Sequence, residues 1–477
     1  MVMGSLREET QVVVIGSGPG GYVAALRLAD LGKDVLLVEK RERPGGTCLL
    51  EGCIPSKTLI HAVEVKESAR QAEQFGLTFK GVEFDPAKLR AWTDEVVGGL
   101  SDGIKGLLKR RDVTVIQGHA RFESPTSLSI EGGEVSGIDF EQAIIATGSS
   151  LNRLPDGIIS SVWSSADALK LPRVPGSLLV VGGGYIGLEM GLVYQGLGSE
   201  VSVVEFFPRL LMGADFDLVD IMVEQVKKRL NEIMVDSKVK SIAETGGDAA
   251  NGFDVEIETG GKIVSKHYDQ VLVAIGRRPN TDDIGLEKTK VAVNEQGFIV
   301  TDEKCRTAES NIFAIGDAAE GPMLAHKASR EGKVAAEAIH GGEVAFDNRA
   351  IPAVVFTDPE IAWTGLTERE AEEQGIKVKI GRFPLSALGR ARTLGRTDGM
   401  VKILADPAGG LVLGLGIVGP MASELIAEGT LAIEMGATLE DIMVTIHPHP
   451  TLSEAILEAA EVAAGEAVHV NPPRKVR

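Results

Sequence analysis

The chain has 477 residues, too many for one simple core, so two to four domains are expected. Hydrophobic residues make up 44% with only 4% aromatic, and there are 57 glycines, which predicts a turn-rich α/β protein with aliphatic cores. A net charge of −19 argues against general binding to nucleic-acid phosphates, and no apolar run reaches the length of a membrane span.

Met1 to Thr10 is short, polar and mildly acidic, unlike a signal or transit peptide. Three cysteines in so long a chain point to a reducing compartment with one specialised pair, and the cytoplasm is expected. Gln11 to Ile15 is a continuous apolar run of strand length. Gly16-Ser17-Gly18-Pro19-Gly20-Gly21 comes next, then a helical pattern from Tyr22 to Leu31, then a buried strand Val35 to Val38 ending at Glu39. Gly16 and Gly18 allow a tight turn and close approach of a pyrophosphate to a helix N-terminus. Gly21 lets helix and strand pack closely, and Glu39 suits a ribose.

Gly45 to Lys57 holds two of the three cysteines, Cys48 and Cys53, with four residues between them. In a regular helix five steps of about 1.5 Å separate the Cα atoms by roughly 7.5 Å. That exceeds the usual disulfide span of about 4.4–6.8 Å. The pair closes only on an irregular backbone, which Gly52 permits, and Pro55 suits a first helical turn. Thiolates near a helix N-terminus are stabilised, so the segment reads as a reactive dithiol or disulfide. A structural bridge and half a zinc site are the bland alternatives. Cys305 stands without partners at ligand spacing, which disfavours zinc.

Val113 to Phe122 reads as one strand, and Ala143 to Gly148 as a strand running into a turn. Leu151 to Gly176 reads as a linker. The dinucleotide unit then repeats. Leu178 to Val181 precedes Gly182-Gly183-Gly184-Tyr185-Ile186-Gly187, and Val201 to Val204 runs into Glu205. Glu39 and Glu205 each lie 23 residues after the first glycine of their unit. Two units predict two dinucleotides on one chain. A tightly held FAD and a nicotinamide nucleotide fit a thiol redox pair. Glu205 suits a free 2′-hydroxyl and has no adjacent arginine, so the second nucleotide is expected to be NAD.

Gln270 to Gly276 repeats the strand and turn, and Arg277 to Asn280 reads as a loop. Ile312 to Asp317 is another strand ending in glycine and acid. Asp317 suits either a ribityl contact or a helix cap. Leu324 to His340 is helical in pattern, with a first turn able to aim N–H groups at an anionic flavin ring. After about Asp347 no third fingerprint occurs, and a domain used for association is the simplest assignment. His449 and Glu454, in Thr445 to Glu454, form a carboxylate–imidazole pair suited to deprotonating a thiol. From this segment alone, two histidines in a proline-stiffened loop before a capped helix is the stronger reading. Histidines at i and i+2 without a third ligand make a poor metal site, so no metal is expected.

Taken together, the first glycine unit, GGTCLLEGCIPSK, GGGYIG, FAIGDA and HPHPTLSE resemble the class I pyridine nucleotide-disulfide oxidoreductases. The dihydrolipoamide dehydrogenase branch is the nearest, and the resemblance runs nearly end to end. It implies two Rossmann-like dinucleotide-binding domains plus an α+β dimerisation domain. The expected division is an FAD domain over 1–150, an NAD domain over 151–278, a central domain over 279–347 completing the FAD site, and an interface domain over 348–477. The resemblance assigns Cys48 as the thiol that meets substrate and Cys53 as the thiolate facing the flavin. Lys57 would pair with Glu189, and His449, assisted by Glu454, would reach the disulfide of the other subunit. Candidate FAD positions are Gly16, Gly18, Gly20, Gly21, Glu39, Lys40, Gly46, Thr47, Lys57, Gly118, Ala146, Thr147, Gly148, Asp317 and Ala325. Candidate NAD positions are Gly182, Gly184, Ile186, Gly187, Glu189, Glu205 and Gly276.

The activity implied is oxidation of dihydrolipoamide to lipoamide with NAD⁺. The partners implied are a lipoyl domain, a second copy of the chain, and the subunit-binding domain of a 2-oxoacid dehydrogenase complex acyltransferase. Leu50, Glu51 and Pro448 depart from the branch, which commonly has asparagine, a neutral residue and alanine there. The branch also points to a cis His449–Pro450 bond. A glutathione reductase-like enzyme would want arginines near the second ribose, and a mercuric reductase a C-terminal cysteine pair. A non-enzymatic, NADH-responsive scaffold would not need the cysteine and histidine motifs.

Overall fold

The computed structural model describes residues 6–152, 161–245 and 252–471. The first five residues, part of the expected linker (153–160), residues 246–251 and the last six residues lie outside the described residues.

The first sheet grows around Arg7–Ile15, whose Val12, Val13 and Val14 are buried on both faces. It pairs in parallel with Val35–Glu39 on one side and Gly137–Ile145 on the other. Parallel strands buried on both faces are continuous apolar runs, which is why these segments stand out in the sequence. Ile312–Ala314 returns from much later in the chain to pair with Gly137–Ile145. The second sheet repeats the plan: Ser177–Val181 lies between Glu200–Val204 and Gln270–Val273, all parallel. A third, antiparallel sheet of five strands lies between Ala353 and Gly419. Helices Ala422–Met435 and Glu454–Ala464 pack on it. Among the described residues no helix is long and apolar enough to cross a membrane.

Three sequence expectations need correction. Val113 to Phe122 is two strands, Thr114–Gln117 and His119–Ser124, broken at Gly118. Gly118 sits at φ +153 and donates its N–H to Glu39 O at 3.0 Å. The segment read as a linker contributes the strand Trp163–Ser164 and the helix Ser165–Leu169. That helix starts on a reciprocal Ser164–Asp167 capping box. Arg277–Pro279 is a strand rather than loop, pairing antiparallel with Ser149–Leu151. Its ends are closed by Asn152 N–H to Gly276 O and Asn280 N–H to Gly148 O.

A buried lysine ties the second sheet region to the third. Lys402 Nζ lies 2.9 Å from Asp215, 2.9 Å from Asp217 and 2.5 Å from Glu368. These three carboxylates converge closely enough to suggest a metal site, but the Lys402 ammonium already fills the space between them and the Arg382 guanidinium pairs with two of them. Asp215 also accepts the N–H groups of Glu368 and Arg369 at the start of the helix Glu368–Gln374. Burial opposes the charge of Asp217, but Arg382 and Lys402 hold its carboxyl below the usual range. A carboxyl lowered in the folded state contributes stability above its unfolded pKa and loses it as pH falls. We expect Lys402→Met to lower unfolding free energy by about 3–5 kcal/mol at neutral pH, because it strands buried charge. The wild type should lose more stability than the variant as pH drops below about 4, near the ordinary aspartate value. Denaturant melts across that pH range measure both. An unchanged midpoint at neutral pH would dismiss the latch.

Candidate active site

Both glycine turns are built by the same collision. At Gly16, at φ +104, an added Cβ would lie 2.3 Å from Ala146 O. At Gly182, at φ +111, it would lie 2.3 Å from Ala274 O. In each case the carbonyl belongs to the turn after the neighbouring parallel strand, so only glycine lets the two turns approach. The acids match as well. Glu39 accepts the N–H of Ser17 at 2.9 Å and of Arg41 at 2.9 Å. Glu205 accepts the N–H of Gly183 at 2.6 Å and of Phe207 at 2.8 Å. Each buried carboxylate clamps its own turn and has lone pairs left for a ribose.

A large cleft runs from the first turn to the cysteines, and all fifteen candidate FAD positions line it. Its donor set suits a dinucleotide. Gly18 and the left-handed Gly46 stack backbone to backbone, where a Cβ on Gly46 would meet Gly18 Cα at 2.5 Å, leaving a smooth cradle of main-chain groups. Arg41 Nη1 is buried against this cleft without a hydrogen-bond partner among the described residues, as a donor awaiting a polar ligand. Asp317 does not cap a helix. It accepts from Ser149 Oγ at 2.5 Å, and Arg277 holds Ser149 through its hydroxyl and carbonyl at 2.7 and 2.6 Å. Beneath Asp317, the buried pair Lys327–Glu331 grips both main-chain groups of Gly316. These residues fit FAD.

The cysteines sit where one helix is cut in two. Gly46–Glu51 carries Cys48, and Cys53–Gln71 begins at Cys53, with Gly52 breaking the backbone between them. Leu50 packs towards the aliphatic core of the first sheet. Both sulfurs line the cleft, and neither is in a disulfide. The two thiols polarise each other. Cys53 pushes the Cys48 thiol far up, helped by burial. Cys48 pulls Cys53 down to about 7, with burial and Glu189 opposing and Lys57 assisting. Cys53 therefore takes the first negative charge.

Lys57 Nζ meets Glu189 Oε2 at 2.8 Å and lies 4.3 Å over the Phe356 ring. The other oxygen of Glu189 accepts the Phe356 N–H at 3.0 Å. Glu189 and Ile186, expected with the second nucleotide, reach the shared cleft, while Gly182, Gly184, Gly187, Glu205 and Gly276 do not line it. Sequence reading missed Arg41, Ser149, Arg277 and Phe356, which lie outside the recognisable motifs. Phe356 enters only through folding of the third sheet.

His449 Nδ1 lies 2.8 Å from Glu454 Oε1, and the Thr451 N–H holds the other oxygen at 2.8 Å. Burial opposes, but the Thr451 N–H and the imidazole hold Glu454 below the usual carboxylate range. The His449–Pro450 bond is cis, as is Asp358–Pro359. His449 and Glu454 are not in the cleft with the cysteines of their own chain. The His449 side chain is 79% exposed, beside Ile446 at 95%.

Two family models match the chain: pyridine nucleotide-disulphide oxidoreductase over residues 10–332, and the dimerisation domain of the same family over 351–460. The chain is 45% identical to dihydrolipoyl dehydrogenase of Geobacillus stearothermophilus, covering 98% of this chain and 99% of that protein. It is 47% identical to dihydrolipoyl dehydrogenase 2 of Haloarcula marismortui, covering 98% and 100%. Among solved structures, the HOCl-induced flavoprotein disulfide reductase RclA from Escherichia coli superposes with a TM-score of 0.82 at 28% identity, covering 94% of this chain and 98% of that one.

Removing the Lys57 charge leaves Glu189 buried and unpaired, and both changes disfavour a nearby thiolate. Lys57→Met should raise the Cys53 pKa from about 7 by about one unit or more. Thiolate ultraviolet absorbance of the reduced protein against pH reads this directly, and an unmoved titration would show that Lys57 does not act on the sulfur.

Proposed function

The chain belongs to the pyridine nucleotide-disulphide oxidoreductase family, and from that premise we propose that it oxidises dihydrolipoamide to lipoamide with NAD⁺ as electron acceptor. The observation that carries the reading is the polarised Cys48–Cys53 pair, opening into a cleft that fits FAD. Near full-length relatives named dihydrolipoyl dehydrogenase supply the substrate class.

In the proposed cycle, His449 Nε2 takes a proton from one thiol of dihydrolipoamide. Glu454, bonded to Nδ1, orients the ring and stabilises the imidazolium. The substrate thiolate attacks Cys48 of the oxidised pair, and Cys53 leaves as the thiolate that Lys57 and the Cys48 side favour. The second substrate thiol then displaces Cys48, and its proton passes to the departing Cys48 sulfur. Lipoamide departs with one new S–S bond, and the Cys48–Cys53 bond has taken up its two electrons. FAD, when bound by the residues of the first unit and Asp317, supplies the two-electron relay to NAD⁺. Glu205 clamps the second turn and offers its remaining lone pairs to the NAD ribose.

The dimerisation-domain match includes His449, and this supports placing His449 against the partner's cleft. Leu431, Met435, Val444 and Ile446 are exposed on the same part of the chain, as expected of an apolar face made to be covered. We further assign 1–150, 151–278, 279–347 and 348–477 to the FAD, NAD, central and interface parts. A lipoyl domain and an acyltransferase's subunit-binding domain are the proposed partners, and a reducing compartment such as the cytoplasm the proposed location.

Steady-state assay should give NADH from NAD⁺ and dihydrolipoamide, and no comparable turnover of glutathione disulfide with NADPH. Preference for the second pair would overturn the substrate assignment. Cys48→Ser should retain FAD absorbance while dihydrolipoamide oxidation falls by at least about three orders of magnitude, as for loss of a covalent nucleophile. Ile446→Asp should yield a monomer in sedimentation that binds FAD and lacks the dithiol half-reaction. An active monomer would refute the shared site.

A further inference from the structure

The stretch between the cysteines carries a carboxylate. Glu51 is one helical turn after Cys48 and two residues before Cys53, and it lines the same cleft. Left alone, it would oppose a thiolate on Cys53. It is not alone. Arg41, two residues beyond the acid of the first dinucleotide turn, reaches across and pairs Nη2 with Glu51 Oε2 at 2.8 Å. The backbone of Arg41 is fixed by its N–H to Glu39, and its Nη1 is buried without a partner among the described residues. One guanidinium thus stands between the ribose acid and the dithiol. We propose that Arg41 is a positioning residue for the redox pair, neutralising Glu51 and holding it off the Cys53 sulfur so that the reduced pair keeps a stable thiolate.

This rests on the disulfide-exchange function proposed for the site. The other groups around the sulfurs are Lys57, Glu189, Tyr22 and Tyr185, contributed by three different helices. Only Lys57 among them is cationic, and Glu189 already claims it. Glu51 therefore needs a cation of its own. The pair is part-exposed, with side-chain exposures of 30% and 38%, so its influence should weaken as salt is added.

The test uses the holoenzyme equilibrated with mixtures of dithiothreitol and its oxidised form across about pH 5.5–9, the range in which a lowered cysteine titrates. Samples are quenched in acid, alkylated and counted by mass for free Cys48 and Cys53. The midpoint potential should change slope at the Cys53 pKa, from two protons per two electrons below it to one above. In Arg41→Gln the break should move up by about half a unit or more, the effect of one partly screened charge. Arg41→Lys should leave the break in place, and Arg41→Gln with Glu51→Gln should restore it. Glu51→Gln alone, which frees the guanidinium, should move it down. A break unmoved in both Arg41→Gln and Glu51→Gln, or equally raised in Arg41→Gln and the double variant, would overturn the proposal. Failure of Cys48 and Cys53 to form a reversible disulfide at all would instead remove the disulfide-exchange function, and this inference with it.

Discussion

The ion pair of Lys57 and Glu189 joins three separately built parts of the molecule. Lys57 is one turn into the helix that Cys53 opens, and Glu189 lies in the helix after the second glycine turn. Phe356, just after the strand Ala353–Val355 of the third sheet, donates its N–H to Glu189 and lays its ring under Lys57. A buried carboxylate is stable only when paired and hydrogen-bonded, so this one can exist only after all three parts have met. The consequence is electrostatic. Cys48 does most to lower the Cys53 thiol, Lys57 adds positive potential beside it, and burial and Glu189 oppose both, which leaves the thiol poised at about 7. A thiol poised there can serve as both leaving group and nucleophile, because nucleophilicity falls as pKa falls.

The duplicated units show how one backbone solution is put to two uses. Glu39 and Glu205 bind the same two main-chain N–H groups of their units, and Gly16 and Gly182 avoid the same carbonyl clash. The residues just after each acid differ. Arg41 reaches Glu51 between the cysteines and Lys40 lines the same cleft, whereas Phe206 and Phe207 stay exposed. The first unit is thereby wired to the dithiol, and the second keeps an open apolar rim. A nucleotide held deep and one that arrives and leaves need that difference in enclosure.

Legibility in the sequence followed locality. The two fingerprints, their acids and the cut helix were readable because each depends on residues close in sequence. The strand Arg277–Pro279 was read as loop because its partner, Ser149–Leu151, lies over a hundred residues away and neither is apolar enough to announce a sheet. Gly118 split a strand at a point where an apolar pattern gave no warning. Asp317 was ambiguous between cap and ligand. Only the fold, by setting Ser149 and Arg277 against it, removed the capping role. Arg41 was invisible for the same reason, since an arginine in an acidic, basic surface run carries no signal until Glu51 is brought to it. The capping box of Ser164 and Asp167 was there to be read, and the composition of the surrounding segment masked it.

The two histidines show why the proposed base is the exposed one. His447 is committed to the fold, with Nδ1 at 2.9 Å from Thr445 O and Nε2 at 2.8 Å from Glu428. No ring nitrogen is left to move a proton. His449 has one nitrogen fixed by Glu454 and the other unpartnered among the described residues, the arrangement a base requires. Yet it stands on an apolar surface, away from the sulfurs of its own chain. In water such an imidazole is merely solvated. In the proposed dimer a second chain would cover this surface, desolvating the ring and burying Ile446 with it. On that proposal association and proton transfer would share one surface, and a substitution that frees Ile446 to water would disable the base as well.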